Sequence, residues 1–270
     1  DVPYESFYGL TARDYLINTV DSFTFEAEHR FSDSLAVRNV SRWSETLNDY
    51  VVTNPGDGGR IDTGGVALIG GEYWMKRATK SRWNPTETLA NVTDLSGTTR
   101  WGGLEHSFNL GLELSREENR NASWNVVTTG GSACPAPLTG FDCTRVYDPD
   151  PSDPWSGTIT RNTVVGNTTD TAALYAFDSI ALGERWRLSL GLRHDRYEVE
   201  GEELPRGATT PVPARGAWNF TTWQVGLVWK PTAASSLYAS VATAATPPTI
   251  SAGDQNGVGG VGSGNLSTTL

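Results

Sequence analysis

The sequence predicts an all-β protein, an antiparallel transmembrane β-barrel section of about eight strands with long extracellular loops and short periplasmic turns. Three observations carry that expectation. Helical periodicity is nearly absent, while segments alternating apolar and polar residues recur along the 270 positions. The connections between those segments alternate between short turns and long irregular stretches, as outer-membrane barrels require. Ten tryptophans and nine tyrosines outnumber eight phenylalanines, which favours boundaries between wet and apolar surroundings.

Along the chain, Phe23, Phe25, Ala27 and Phe31 oppose Thr24, Glu26, Glu28 and Arg30, with His29 on the apolar side. After the turn Ser32 to Ser34, Leu35 and Val37 oppose Ala36 and Arg38 more weakly. Phe108, Leu110, Leu112 and Leu114 oppose Ser107, Asn109, Gly111 and Glu113. Trp186, Leu188, Leu190 and Leu192 oppose Arg187, Ser189, Gly191 and Arg193. Trp223, Val225, Leu227 and Trp229 oppose Thr222, Gln224, Gly226 and Val228. Short turns at 32–34, 100–103, 183–185 and 231–235 then define four hairpins, roughly 19–31 with 35–48, 86–99 with 104–118, 169–182 with 186–198, and 218–230 with 236–246. Several of these strands exceed ten residues, against about five or six in a typical soluble strand. The segments 48–82, 119–167, 196–217 and the tail after Thr243 read as long irregular loops.

The solvent explains the pattern. In lipid every backbone N–H and C=O must pair within the protein, so a spanning sheet closes on itself, exposes an apolar outer face and keeps its polar face inside. Arg30, Arg38, Arg42, Arg187, Arg193, Glu26, Glu28 and Glu113 would point inward, which suits a wide bore or a dense internal salt-bridge network. A soluble β-sandwich shows the same alternation with the polar face outward and shorter loops.

Other classes are disfavoured. No run of 18 apolar residues is present, so no transmembrane helix is expected, and the opening DVPYESFYGL lacks the basic and apolar stretches of a signal peptide. A formal charge of −10 argues against a nucleic-acid partner. Lys76, Lys80 and Lys230 are the only lysines among 21 basic residues, and arginine suits fixed, multi-donor hydrogen bonding. There is no GxSxG, HExxH or P-loop, and the glycine-rich GVGGVGSG lacks the strand-to-helix context of a phosphate cradle, so neither an enzyme nor a cofactor is expected. Cys134 and Cys143 would close a short loop in an oxidising compartment, worth about 2–3 kcal/mol, and would be free thiols in a reducing one. No metal site is expected: no CxxC accompanies them, and His29, His106 and His194 stand singly.

The segment 2–56, VPYESFYGLTARDYLINTVDSFTFEAEHRFSDSLAVRNVSRWSETLNDYVVTNPG, resembles the first barrel hairpin of TonB-dependent siderophore receptors, in particular those of the catecholate type. LYAFD at 174–178, WRLSLGLRHD at 186–195 and VGLVWKPTAASSLYASVATAATPP at 225–248 are similar to later strands and turns of that family. The resemblance implies an outer-membrane receptor of about 22 strands filled by a plug, which binds a ferric siderophore and imports it with energy from TonB. The 270 residues contain neither a plug sequence nor a TonB box, and Leu270 is not the terminal aromatic residue common in such barrels. Residues 1–270 are therefore expected to be a barrel section, with the plug, the C-terminal strands and the parts that meet TonB outside it. A passive porin-like or adhesive outer-membrane barrel is the alternative.

Ferric siderophores are bulky anionic chelates whose iron is already coordinated, so aromatic surfaces and arginine donors matter more than metal ligands. Tyr73, Trp74, Lys76, Arg77, Lys80, Arg82 and Trp83 form the one cationic, aromatic cluster in an acidic chain. They are candidates for ligand contact, with loop packing, lipopolysaccharide contact or anchoring in the aromatic girdle as their other uses. Tyr50, Trp124, Arg145, Tyr147 and Trp155 are weaker candidates. Asp148, Asp150 and Asp153 lie close together but lack a calcium-loop signature, and a solvated acidic loop is the expectation. The expected partners are a ferric siderophore, TonB, and outer-membrane lipid and lipopolysaccharide.

Overall fold

The computed structural model describes residues 2–56, 65–131, 133–138, 140–205, 207–246 and 267–269. The strands are β1 (Tyr15–Ser32), β2 (Leu35–Pro55), β3 (Val66–Ile69), β4 (Glu72–Trp101), β5 (Leu104–Asn121), β6 (Trp124–Gly131), β7 (Cys143–Arg145), β8 (Trp155–Arg161), β9 (Val165–Leu182), β10 (Trp186–Glu203), β11 (Val212–Thr232), β12 (Ser235–Ala242), β13 (Ala244–Thr246) and β14 (Ser267–Thr269). Eight of them form one antiparallel wall in the order β1-β2-β4-β5-β9-β10-β11-β12, with β3 and β7 added to the upper part of β4. Among the described residues β1 and β12 are its edges, so this section of barrel wall is open. Among the described residues no helix is long and apolar enough to cross a membrane. The GVGGVGSG stretch lies outside the described residues.

All four expected hairpins are present, joined at 33–34, 102–103, 183–185 and 233–234. Gly102 and Gly103 close the second turn at φ of 59° and 82°, a left-handed backbone that favours glycine. Nearby, Trp186 and Trp229 stack with ring centroids 5.4 Å apart, an arrangement suited to a membrane-water boundary.

Direct cross-strand partners share a face, so the register assigns the two sides. One row runs from Phe25 of β1 through Ser41, Asn91, Leu114 and Ala172 to Arg196 of β10. Closer to the turns, Leu110, Ala176, Leu192 and Trp223 form another. Leu190 and Leu192 keep 37% and 55% of their surface exposed, which excludes a dry core on this side and leaves lipid as the medium that covers it. The band also carries polar pairs, His106 with Asp178 and His194 with Thr221, and a patch built on two asparagines. Asn39 Nδ2 donates to Asn91 Oδ1 and Thr93 Oγ1, and Asn91 Nδ2 donates to Asn39 Oδ1 and Ser41 Oγ. All four amide protons are thereby used within the patch, which is how it tolerates hydrocarbon.

The opposite face is charged. Arg38 holds Glu26 with two hydrogen bonds of 2.7 and 2.8 Å. Arg193 donates to Glu113 at 2.8 Å and to Asp195 at 2.7 and 3.0 Å. Tyr175 packs over Gly111 and donates to Asp94 Oδ1 at 2.7 Å.

The strands run further than the alternation indicates. β2 continues to Pro55 and β4 is 30 residues long, so much of 48–82 is paired backbone, not irregular loop. Likewise β10 and β11 stay paired as far as Glu203 and Val212. The 119–167 segment holds a second small sheet, β6 with β8, together with β7. Beyond the lipid band both faces of a strand meet water, so pairing continues without the apolar period that marks it in sequence.

Candidate functional site

The long extension of β4 carries the seven candidates of the 73–83 cluster into a folded crown above the wall. Its centre is Arg77, only 1% exposed. The guanidinium donates to Tyr8 O at 3.0 Å, Cys143 O at 3.3 Å, Asp150 O at 2.5 Å and Asp153 Oδ2 at 2.7 Å. It thus ties the N-terminal segment and the 141–154 loop to β4. A second buried arginine, Arg13, donates to Arg77 O at 3.2 Å and Thr53 Oγ1 at 2.6 Å, with its Nε on Asp14 Oδ1 at 2.9 Å. Asp14 in turn accepts from the backbone N–H and the hydroxyl of Thr53. Asp142 lies 3.7 Å from Arg13 and accepts from Thr128 Oγ1. Each buried charge therefore meets an opposite charge and hydrogen-bonding groups, the condition under which burial is tolerated.

Cys134 and Cys143 are joined by a disulfide. With Leu138 they form a small apolar core against Ala67, Ile69 and Trp74. Trp74 is thereby half packed, and the Arg145 guanidinium lies 5.8 Å from its ring. Lys76 Nζ sits 4.4 Å from the Phe141 ring, and Tyr73 meets Tyr147 edge to face at 6.1 Å. Tyr147 is exposed, so this pair offers an aromatic surface at the top of the crown.

Lower on β4 the candidates separate by face. Tyr50 and Arg82 are direct partners across β2 and β4, on the side that carries Arg38 lower down β2. Trp83 falls on the other side. There Arg161 lies 4.2 Å from the Trp83 ring and 5.9 Å from the Trp124 ring. Trp124 Nε1 also donates to Asp49 Oδ1 at 2.8 Å, an acceptor shared with Tyr15 Oη at 3.1 Å. Trp155 Nε1 reaches Thr128 Oγ1 at 3.4 Å.

The acidic stretch does not converge. Asp153 is taken by Arg77, Asp148 by Arg145 at 3.4 Å, and Asp150 Oδ1 accepts the Ser152 N–H. His106 Nδ1 lies 2.6 Å from Asp178 Oδ2, and His194 Nδ1 lies 2.9 Å from Thr221 Oγ1, both within the wall. Among the described residues no group of three His, Cys, Asp or Glu side chains is placed to hold a metal ion.

Arg13, Asp14, Thr53, Asp142 and Arg161 belong to this crown and escape a sequence reading. Their contacts span tens of residues, and no spacing rule signals them. Arg77 is visible as a cation but not as a buried one.

With this architecture in place, comparison with known proteins is decisive. The family model "TonB dependent receptor-like, beta-barrel" matches residues 2–269. The chain belongs to the TonB-dependent receptor family. Among relatives, the Probable TonB-dependent receptor BfrD of Bordetella pertussis is 34% identical, across 93% of this chain and 34% of its own length. The Catecholate siderophore receptor Fiu of Escherichia coli K12 is 30% identical, across 98% of this chain and 35% of the relative. The crystal structure of the ferric-catecholate import receptor Fiu in a closed form superposes with a TM-score of 0.78 at 27% identity, covering 92% of this chain and 35% of Fiu. The unliganded ferric citrate transporter FecA shares the fold, with a TM-score of 0.58. This TonB-dependent receptor chain spans about a third of the length of these relatives.

Proposed function

We propose that this chain forms part of the barrel wall and extracellular crown of an outer-membrane receptor that imports a ferric siderophore, of the catecholate type, with energy supplied through TonB. The observation that carries this reading is the superposition on Fiu over 92% of the chain. The chemistry of the crown agrees with it. Tyr50 and Arg82 place an aromatic ring and a guanidinium side by side on the face that looks into the barrel. Tyr73, Trp74 and Lys76 add rings and a cation above them, so an anionic aromatic chelate would find stacking surfaces and hydrogen-bond donors together. Arg77 supports this surface from beneath, and Trp83 and Trp124 brace its outer side with Arg161. The ligand is carried without chemical change, so the receptor is not an enzyme and needs no cofactor of its own.

The test is growth of a siderophore-receptor-deficient bacterium on iron presented only as a catecholate chelate, with the receptor containing this chain supplied. Growth that disappears when TonB is deleted is the expected result. Growth that persists without TonB would mean passive diffusion through a pore, and no growth at all would remove the siderophore.

A further inference from the structure

The lipid-facing side of the wall is mainly apolar, and towards its upper edge it carries a groove of about 540 Å³ where β4, β5, β9 and β10 meet. Ala172 is its floor: it is the small residue in a register row between Leu114 of β5 and Arg196 of β10. One rung further from the turns, Leu89, Arg116 and Asp170 form the next row, with Glu198 beside Asp170. Leu89 and Leu114 are 57% and 46% exposed, so the groove is greasy on its β4 and β5 side. Its upper rim is polar.

Two arginines on that rim are incompletely used. Arg116 donates from Nε to Glu118 Oε1 at a long 3.3 Å, and its Nη1 stands 3.8 Å from Asp170 Oδ1, beyond hydrogen-bond reach. Both of its terminal NH₂ groups therefore lack an acceptor among the described residues. Arg196 spends Nε and Nη2 on Glu198 and leaves Nη1 open. Arg38 on the inner face, by contrast, holds its carboxylate in a two-pronged grip. An arginine with open donors at the edge of a membrane, above an unfilled apolar groove, is complementary to a phosphate attached to an acyl chain.

We propose that this groove binds a phosphorylated glycolipid of the outer leaflet, of the lipid A type, with one acyl chain over Ala172 and a phosphate between Arg116 and Arg196. The proposal rests on the outer-membrane reading given above. Asp170, Glu198 and Glu118 share the rim, and a row of carboxylates, Asp21, Glu45, Glu87 and Glu118, runs across the same face. That charge repels a bare anion, so the chain in the groove must contribute to retention and free phosphate must bind poorly.

The receptor containing this chain, stripped of lipid and placed in nanodiscs of zwitterionic phospholipid, is titrated with bisphosphorylated lipid A, with phosphatase-treated lipid A and with inorganic phosphate. R116Q/R196Q is expected to weaken bisphosphorylated lipid A by about tenfold or more. It should leave phosphatase-treated lipid A unchanged, and R187Q, on the inner face near the turns, should change neither. A172F fills the floor while keeping both arginines, and should weaken both lipids. Equal binding of bisphosphorylated lipid A by wild type and R116Q/R196Q would overturn the proposal, as would displacement of the lipid by inorganic phosphate. Loss of lipid A binding with catecholate uptake intact separates this site from the receptor's function, whereas absence of the protein from the outer membrane would defeat the function itself.

Discussion

The ring of Tyr175 occupies the space above Gly111 where any other residue would place its side chain. The three residues Asp94, Gly111 and Tyr175 lie in one register row across β4, β5 and β9. Only the missing side chain in the middle lets the tyrosine hydroxyl reach Asp94 at 2.7 Å. Gly111→Val should therefore expel the ring and break that bond, costing about 1–3 kcal/mol of overpacking. A Cβ at Gly226 would meet nothing nearer than 3.7 Å, so Gly226→Ala should be tolerated. Thermal unfolding in detergent distinguishes them; equal melting temperatures for the two variants would refute this account.

Arg77→Met should loosen the crown and spare the wall. It strips the donors from Tyr8 O, Cys143 O and Asp150 O and leaves Asp153 without its cation. Breaking one half of a buried ion pair costs about 3–5 kcal/mol. Hydrogen exchange should accelerate at 8–14 and 141–154 while β5, β9 and β10 stay protected. Uniform acceleration across the strands would show that crown and wall melt as one unit.

Asn91→Ala removes one member of the lipid-facing amide patch: one Asn39 Nδ2 proton loses its acceptor, and Asn39 Oδ1 and the Ser41 hydroxyl keep only their mutual 3.4 Å contact. Leaving buried polar groups unpaired costs about 1–3 kcal/mol, whereas removing both partners is nearly neutral. Asn39→Ala with Asn91→Ala should thus be more stable than Asn91→Ala alone. Urea titration in lipid vesicles measures the order, and the reverse order would mean that the patch faces water.

Arginine substitution along β5 should report depth. Leu112→Arg, amid exposed apolar neighbours, is expected to cost about 2–4 kcal/mol, and Leu104→Arg, beside the turn, about 0–1 kcal/mol. The same titration serves, and equal costs would place this face outside a bilayer.

The wall was legible because lipid imposes a period of two on every strand that crosses it. Phe108 to Leu114 and Trp186 to Leu192 therefore announced both their strands and their outward faces. Above the band that signal ends, and β4 between Glu72 and Arg82 reads as loop although it is paired throughout, with β3 and β7 over 72–76 and with β2 from Arg77 onward. The crown was least legible. Arg13 meets Thr53 across 40 positions and Arg77 meets Asp153 across 76. Charge and ring content pointed to the 73–83 segment, but whether a cation there is buried or presented depends on which distant loop folds over it.

A single side chain fastens residue 8, residue 143 and residues 150 and 153 to one strand, in the manner of a keystone under an arch. Displacing any one of those segments must disturb its grip on the others. Any movement of this crown would therefore tilt or shift the whole cap as a body, and fingers that open one at a time are foreign to this design.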